Sequence, residues 1–99
     1  MIVVIAKIVS KSEARDATRD ALIGLETATR AEEGCLEYTL YTSPTEPDVF
    51  VTVESWQSRA HLDAHFATPH VTQTLAAADQ MLAGAPVITV HEVSSTTTL

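Results

Sequence analysis

Phe50, Thr52, Glu54 and Trp56 recur at every second position near the middle of the chain. In a strand that spacing sets all four on one face. A hydroxyl, a carboxylate and an indole N–H among aromatic rings could line a pocket for a small ligand. If Glu54 is enclosed, its pKa should rise and it could act as a base near neutral pH. The competing reading is a strand-edge carboxylate that reaches water. Trp56 is either a plain core residue or an indole N–H seeking a partner. His61 and His65 stand one helical turn apart, the spacing of a metal pair. Leu62 occupies the place where a metal-protease helix carries its glutamate, and no cysteine is near, so no metal is expected. His65 falls closer to the Leu62 and Phe66 side, where a neutral imidazole could hydrogen-bond Glu54 or a substrate hydroxyl. His70 and His91 could equally be structural. Cys35, with no base beside it in sequence, reads as a small buried hydrophobe.

These residues need elements to carry them. Met1 to Val9 is apolar at nearly every position apart from Lys7 and suits a strand buried on both faces. Ser10-Lys11-Ser12-Glu13 has the form of a capping box, opening a helix with a stripe at Ala14, Ala17, Ala21, Leu25 and Ala28. Gly34 is expected to end that helix in a left-handed conformation. Cys35 to Thr42 alternates, with Leu36, Tyr38 and Leu40 on one side. Ser43 to Asp48 holds two prolines and reads as a turn, and Val49 to Trp56 resumes the alternation as the second arm of a hairpin. Ser58 caps a helix from Arg59 to Ala67. Thr68-Pro69 starts another, with a stripe at Val71, Leu75, Ala78 and Leu82, stopped by Gly84 and Pro86. Val87 to Val93 is the last strand.

The order strand, helix, strand, strand, helix pair, strand specifies an α+β, ferredoxin-like βαββαβ domain: a four-stranded antiparallel sheet with helices on one face. It spans residues 1–94, followed by a polar tail at 95–99. With 99 residues, 45% of them hydrophobic, the chain has room for one such domain. The other sheet face has no cover within the chain, so a second copy is expected there. A net charge of −7, from 13 acidic and 6 basic residues, argues against nucleic acid and anionic membrane surfaces as partners. No apolar run approaches the roughly 20 residues of a membrane span. The single cysteine and the lack of a signal-like leader point to the cytoplasm. No glycine-rich phosphate loop is present, and no nucleotide cofactor site is readable.

With these motifs placed, the sequence resembles the antibiotic biosynthesis monooxygenase family, especially its quinol monooxygenase-like members. The matching residues are Val4-Ile5-Ala6, Glu32-Glu33-Gly34-Cys35 with Tyr38, Glu54-Ser55-Trp56-Gln57-Ser58, and most densely Ala60 through His70. The resemblance implies a dimeric α/β barrel that oxygenates phenols or quinols without flavin, haem or metal. Polyketide-oxidising members use an Asn, a Trp and a Tyr; here Trp56 matches, while Thr52 and Leu62 stand at the other two places. Haem-degrading members need an asparagine on the first strand, where this chain has Ala6 or Lys7.

The resulting expectation is a cofactor-independent monooxygenase acting on a small aromatic quinol or phenol with dioxygen. His65 would accept the proton, Glu54 would orient it, and Trp56 would be a donor and aromatic wall. Thr52, Phe50, Leu62, Phe66 and His70 would contact substrate. Two other readings stay open. One is an isomerase or tautomerase of a small hydroxycarbonyl compound, as in members that resemble this chain at Thr68-Pro69-His70. The other is a non-catalytic dimeric small-molecule-binding protein.

Overall fold

The computed structural model describes all residues from Met1 to Leu99. Four strands form one antiparallel sheet: β1 (Ile2–Val9), β2 (Cys35–Thr42), β3 (Val49–Trp56) and β4 (Val87–Glu92), in the order β2-β3-β1-β4. The helices α1 (Arg15–Thr29), α2 (Arg59–Phe66), α3 (Pro69–Ala76) and a single turn α4 (Ala78–Met81) lie on one side. This is the ferredoxin-like α+β arrangement that the element order predicts. No helix is long and apolar enough to cross a membrane.

The register decides which side chains meet under the helices. β1 pairs with β3 so that Val4 faces Glu54, Ala6 faces Thr52 and Ile8 faces Phe50. β2 sets Tyr38 beside Glu54 and Leu40 beside Thr52. Two apolar clusters flank this middle. Ile2, Val4, Tyr38, Trp56 and Leu62 pack at one end, and Ile8, Leu22 and Phe50 at the other. Thr52 and Glu54 sit between them, buried.

The opposite face is bare. β1 alternates in burial rather than being covered on both sides, and Ile5 and Val9 remain 42% and 36% exposed. Val51 and Val53 of β3 share that face with Tyr41, Val87 and Thr89. The apolar character of β1 on both faces therefore has a partner on only one of them within the chain.

Several local expectations give way to longer-range contacts. Ser10 does not cap a helix. Its N–H donates to the Asp48 carbonyl at 2.8 Å and its hydroxyl pairs with Thr18 at 2.8 Å, while a 3-10 turn over Ser12–Ala14 leads into α1. α1 stops at Thr29, so Gly34 shapes the entry to β2 instead of ending the helix. Gly34 has φ +81°, and a Cβ there would collide with the His61 ring. A bulge between Cys35 and Glu37 turns Leu36 outward, where it is 59% exposed. The expected single helix after Pro69 breaks at Ala77 into α3 and α4.

Candidate active site

Side chains two apart on β3 stack along one face, which lets the Glu54 carboxylate reach both neighbours. Thr52 Oγ1 donates to Glu54 Oε2 at 3.0 Å, and Trp56 Nε1 donates to Glu54 Oε1 at 3.0 Å. Burial pushes the Glu54 carboxyl above its ordinary range. The bonds from Trp56 and Thr52 and the nearby His65 pull it partly back. Burial also raises the Tyr38 phenol, and the Glu54 charge adds to that rise. Tyr38 is therefore a neutral hydroxyl at physiological pH.

His65 comes from the last turn of α2 and is 3% exposed. Its ring lies 4.7 Å from Trp56, 5.4 Å from Phe66 and 6.0 Å from Tyr38, centroid to centroid. Thr68 Oγ1 donates to the His65 carbonyl at 2.7 Å, tying the end of α2 to the start of α3. The expected orienter of His65 was Glu54, but the bond is made by Glu32. His65 Nδ1–H donates to Glu32 Oε2 at 2.7 Å. Glu32 lies in the turn after α1, and the same oxygen meets His70 Nε2 at 2.8 Å. Glu54 instead accepts from Thr52 and Trp56. With Nδ1 engaged, Nε2 is the His65 nitrogen left for the interior.

A narrow cavity of about 70 Å³ opens under the helices. Thr52, Glu54, His65 and Tyr38 supply its polar side, and Phe66, Leu22, Leu75 and Ile88 are among its apolar walls. Of the residues expected at the site, Thr52, Glu54, His65 and Phe66 border this space. Trp56 does not: it sits behind Glu54 as a hydrogen-bond donor instead of forming a wall. Phe50 and Leu62 are fully buried in the two apolar clusters and do not reach the cavity, because both point into closely packed side chains. His70 also lies outside the cavity, and its link to it runs through Glu32 and the His65 ring.

Ligand-type atoms of Glu32, His65 and His70 lie within 4.8 Å of one another, close enough to hold a metal ion. They are arranged here as two hydrogen bonds onto one oxygen. The pair suggested by spacing, His61 with His65, does not converge: His61 Nδ1 bonds the Ser58 hydroxyl at 2.7 Å. Cys35 is half-buried, and burial pushes its thiol up, with the charges of Glu32 and Glu54 adding to the rise. That is the opposite of an activated nucleophile. Sequence reasoning missed the role of Glu32. It stands in a turn 33 residues before His65 and gives no local signal beyond its place in the Glu32-Glu33-Gly34 segment.

A buried carboxyl and a braced imidazole thus face one cavity on a ferredoxin-like sheet. The family follows from sequence: the antibiotic biosynthesis monooxygenase profile matches residues 1–77, and the chain belongs to that family. Rv0793 of Mycobacterium tuberculosis is 36% identical over 90% of this chain and 87% of its own. Its solved structure superposes with a TM-score of 0.91 over 98% of each chain. Probable quinol monooxygenase YgiN of Escherichia coli is 33% identical over 72% of this chain and 78% of its own. Protein sll1783 of Synechocystis is 36% identical over 71% of this chain, which spans only 48% of that longer protein.

Proposed function

We propose that this chain is a monooxygenase that oxidises a small aromatic phenol or quinol with dioxygen, drawing the electrons from the substrate itself. The observation that carries the reading is His65, braced at Nδ1 by Glu32 and bordering a largely apolar cavity beside Glu54. The name given to YgiN points to the same substrate class.

The chemistry follows from that placement. His65 Nε2 takes the substrate hydroxyl proton, and the Glu32 carboxylate steadies the imidazolium that forms. The substrate anion gives one electron to dioxygen. The two radicals combine at a ring carbon and form a C–O bond. Protonation of the resulting peroxide, loss of the ring C–H proton and cleavage of the O–O bond release water and leave a carbonyl. One oxygen atom enters the product and the other leaves as water. The His65 imidazolium returns its proton to the peroxide and is free for the next substrate, with the Glu54 carboxyl and the neutral Tyr38 hydroxyl bordering the same space. The apolar walls keep water from competing for the intermediate.

The protein acts as a homodimer in the cytoplasm, in one domain spanning residues 1–94. The dimer is supported by the uncovered sheet face, where Ile5, Val9, Tyr41 and Val87 are all at least 36% exposed. Such a contiguous apolar face is the kind that a symmetric pair of copies closes.

The test is an oxygen-electrode assay with chelator-treated protein and a panel of hydroquinones and naphthols. Uptake above the His65→Ala background supports the reading. A flat trace across the panel contradicts it. Conversion of a hydroxycarbonyl compound without oxygen uptake would favour the isomerase instead.

A further inference from the structure

We propose that Glu32, His65 and His70 bind a zinc ion that switches His65 off. The site goes beyond the reaction proposed above, and only its inhibitory effect rests on His65 as the proton acceptor. One carboxylate oxygen and two imidazole nitrogens converge, with all three ligand atoms within 4.8 Å of one another. Glu32 Oε2 stands 2.7 Å from His65 Nδ1 and 2.8 Å from His70 Nε2. Zinc holds such ligands at about 2.0–2.2 Å in a tetrahedron, whose edges are roughly 3.4 Å long. Lengthening each contact by about 0.6 Å therefore turns the two hydrogen bonds into two edges of a coordination shell. The side chains of His65 and Glu32 are 4% and 14% exposed, which fixes two ligands in the interior. His70, at 27%, borders an open groove between α1 and the α3–α4 pair, beside Ala21, Gln73 and Ala77. That groove is the way in for the ion and leaves the fourth position to water. Two nitrogen donors select zinc over magnesium or calcium, which take oxygen ligands.

The ion does not meet the substrate. Neither Glu32 nor His70 borders the cavity, and zinc reaches His65 at Nδ1, the nitrogen already turned to Glu32. Its effect is on the ring. A metal at Nδ1 needs the lone pair there, so the proton on Nδ1 gives way to one on Nε2. His70 exchanges its Nε2 proton for one on Nδ1 in the same way. Both rings stay neutral, Glu32 stays a carboxylate and no electrons move. His65 Nε2 then carries a hydrogen and has no lone pair to take a substrate proton.

The test titrates zinc chloride, and magnesium chloride for contrast, into the chelator-treated chain by calorimetry. About one zinc ion per chain is expected, with no uptake of magnesium. Zinc affinity is expected to fall at least about tenfold in His70→Gln and in Glu32→Gln, and to stay unchanged in His61→Gln. His70→Gln keeps an N–H for Glu32 and so spares the fold. Without any substrate, NMR on protein labelled with 15N is expected to show the His65 proton on Nδ1 in the metal-free chain and on Nε2 with zinc. In turnover, saturating zinc is expected to cut oxygen uptake at least about tenfold, with recovery on adding chelator. Equal zinc affinity in the wild type and both variants, or a His65 ring unchanged by zinc, would overturn the site. Undiminished oxygen uptake at saturating zinc would overturn the switch. A shifted His65 proton in a protein that oxidises none of the quinols would uphold the site and remove the oxygenase reading.

Discussion

Replacing Glu32 by Gln probes the link between the fold and the chemistry most cleanly, because it changes charge and not shape. Two ring nitrogens end on Glu32 Oε2, at 2.7 and 2.8 Å, and the amide oxygen of Gln can accept from both. A hydrogen bond to a charged group contributes about 1.5–3 kcal/mol, against about 0.5–1.5 kcal/mol for a neutral pair. Over two bonds the fold is therefore expected to lose on the order of 1–3 kcal/mol, which urea unfolding measures. The reaction loses more, since the imidazolium formed on proton uptake no longer faces a negative charge. Opposite charges about 4 Å apart attract by about 4 kcal/mol at an effective dielectric constant near 20. At roughly 1.4 kcal/mol per factor of ten, kcat is expected to fall on the order of 10²–10³-fold. KM should change little, because Glu32 does not border the cavity. The assay is initial oxygen uptake at saturating substrate. A folded Glu32→Gln protein with kcat within about threefold of the wild type would refute the assignment of Glu32 as the partner of the catalytic base.

Other expected outcomes follow from the same geometry. Glu54 has a raised pKa, so between its ordinary value of 4.5 and that higher value the folded protein holds a proton that the unfolded chain has lost. Its contribution to stability is full below pH 4.5 and fades as pH rises through the folded pKa. Glu54→Gln should therefore gain stability relative to wild type as pH rises, and parallel urea-midpoint curves across pH would contradict this. Gly34→Ala forces a β-carbon into a left-handed conformation and against His61, and thermal unfolding should show a loss of about 2–4 kcal/mol. Ile5→Asp places a charge at the middle of the bare sheet face and should leave a folded monomer at micromolar concentration. Sedimentation velocity checks it, with an unchanged dimer as the contrary result.

The strands were legible because alternation records burial directly. Val49–Trp56 keeps its expected bounds, and the Ser58 cap forms as read, with its hydroxyl accepting from the His61 N–H. Ser10 has the sequence of a cap, yet Thr18 and Asp48 claim its polar groups through contacts that no local window contains. The helix after Pro69 carries an unbroken apolar stripe, yet it breaks at Ala77. The same limit applies at the site. Thr52, Glu54 and His65 stood out because polar groups among apolar neighbours are chemically conspicuous. Phe50 and Leu62 are apolar whether they line a cavity or fill a core, so sequence does not separate the two roles. Glu32 was one carboxylate among many until the turn after α1 brought it under His65.

Running the reaction under 18O2 with chelator-treated protein and an oxidised quinol product analysed by mass spectrometry tests the central claim most directly. One labelled oxygen atom per product molecule, one dioxygen consumed per substrate, and loss of both in His65→Ala are the results expected of a base-initiated monooxygenase. Product formed equally well under argon, or labelled no more than in the His65→Ala control, would contradict it.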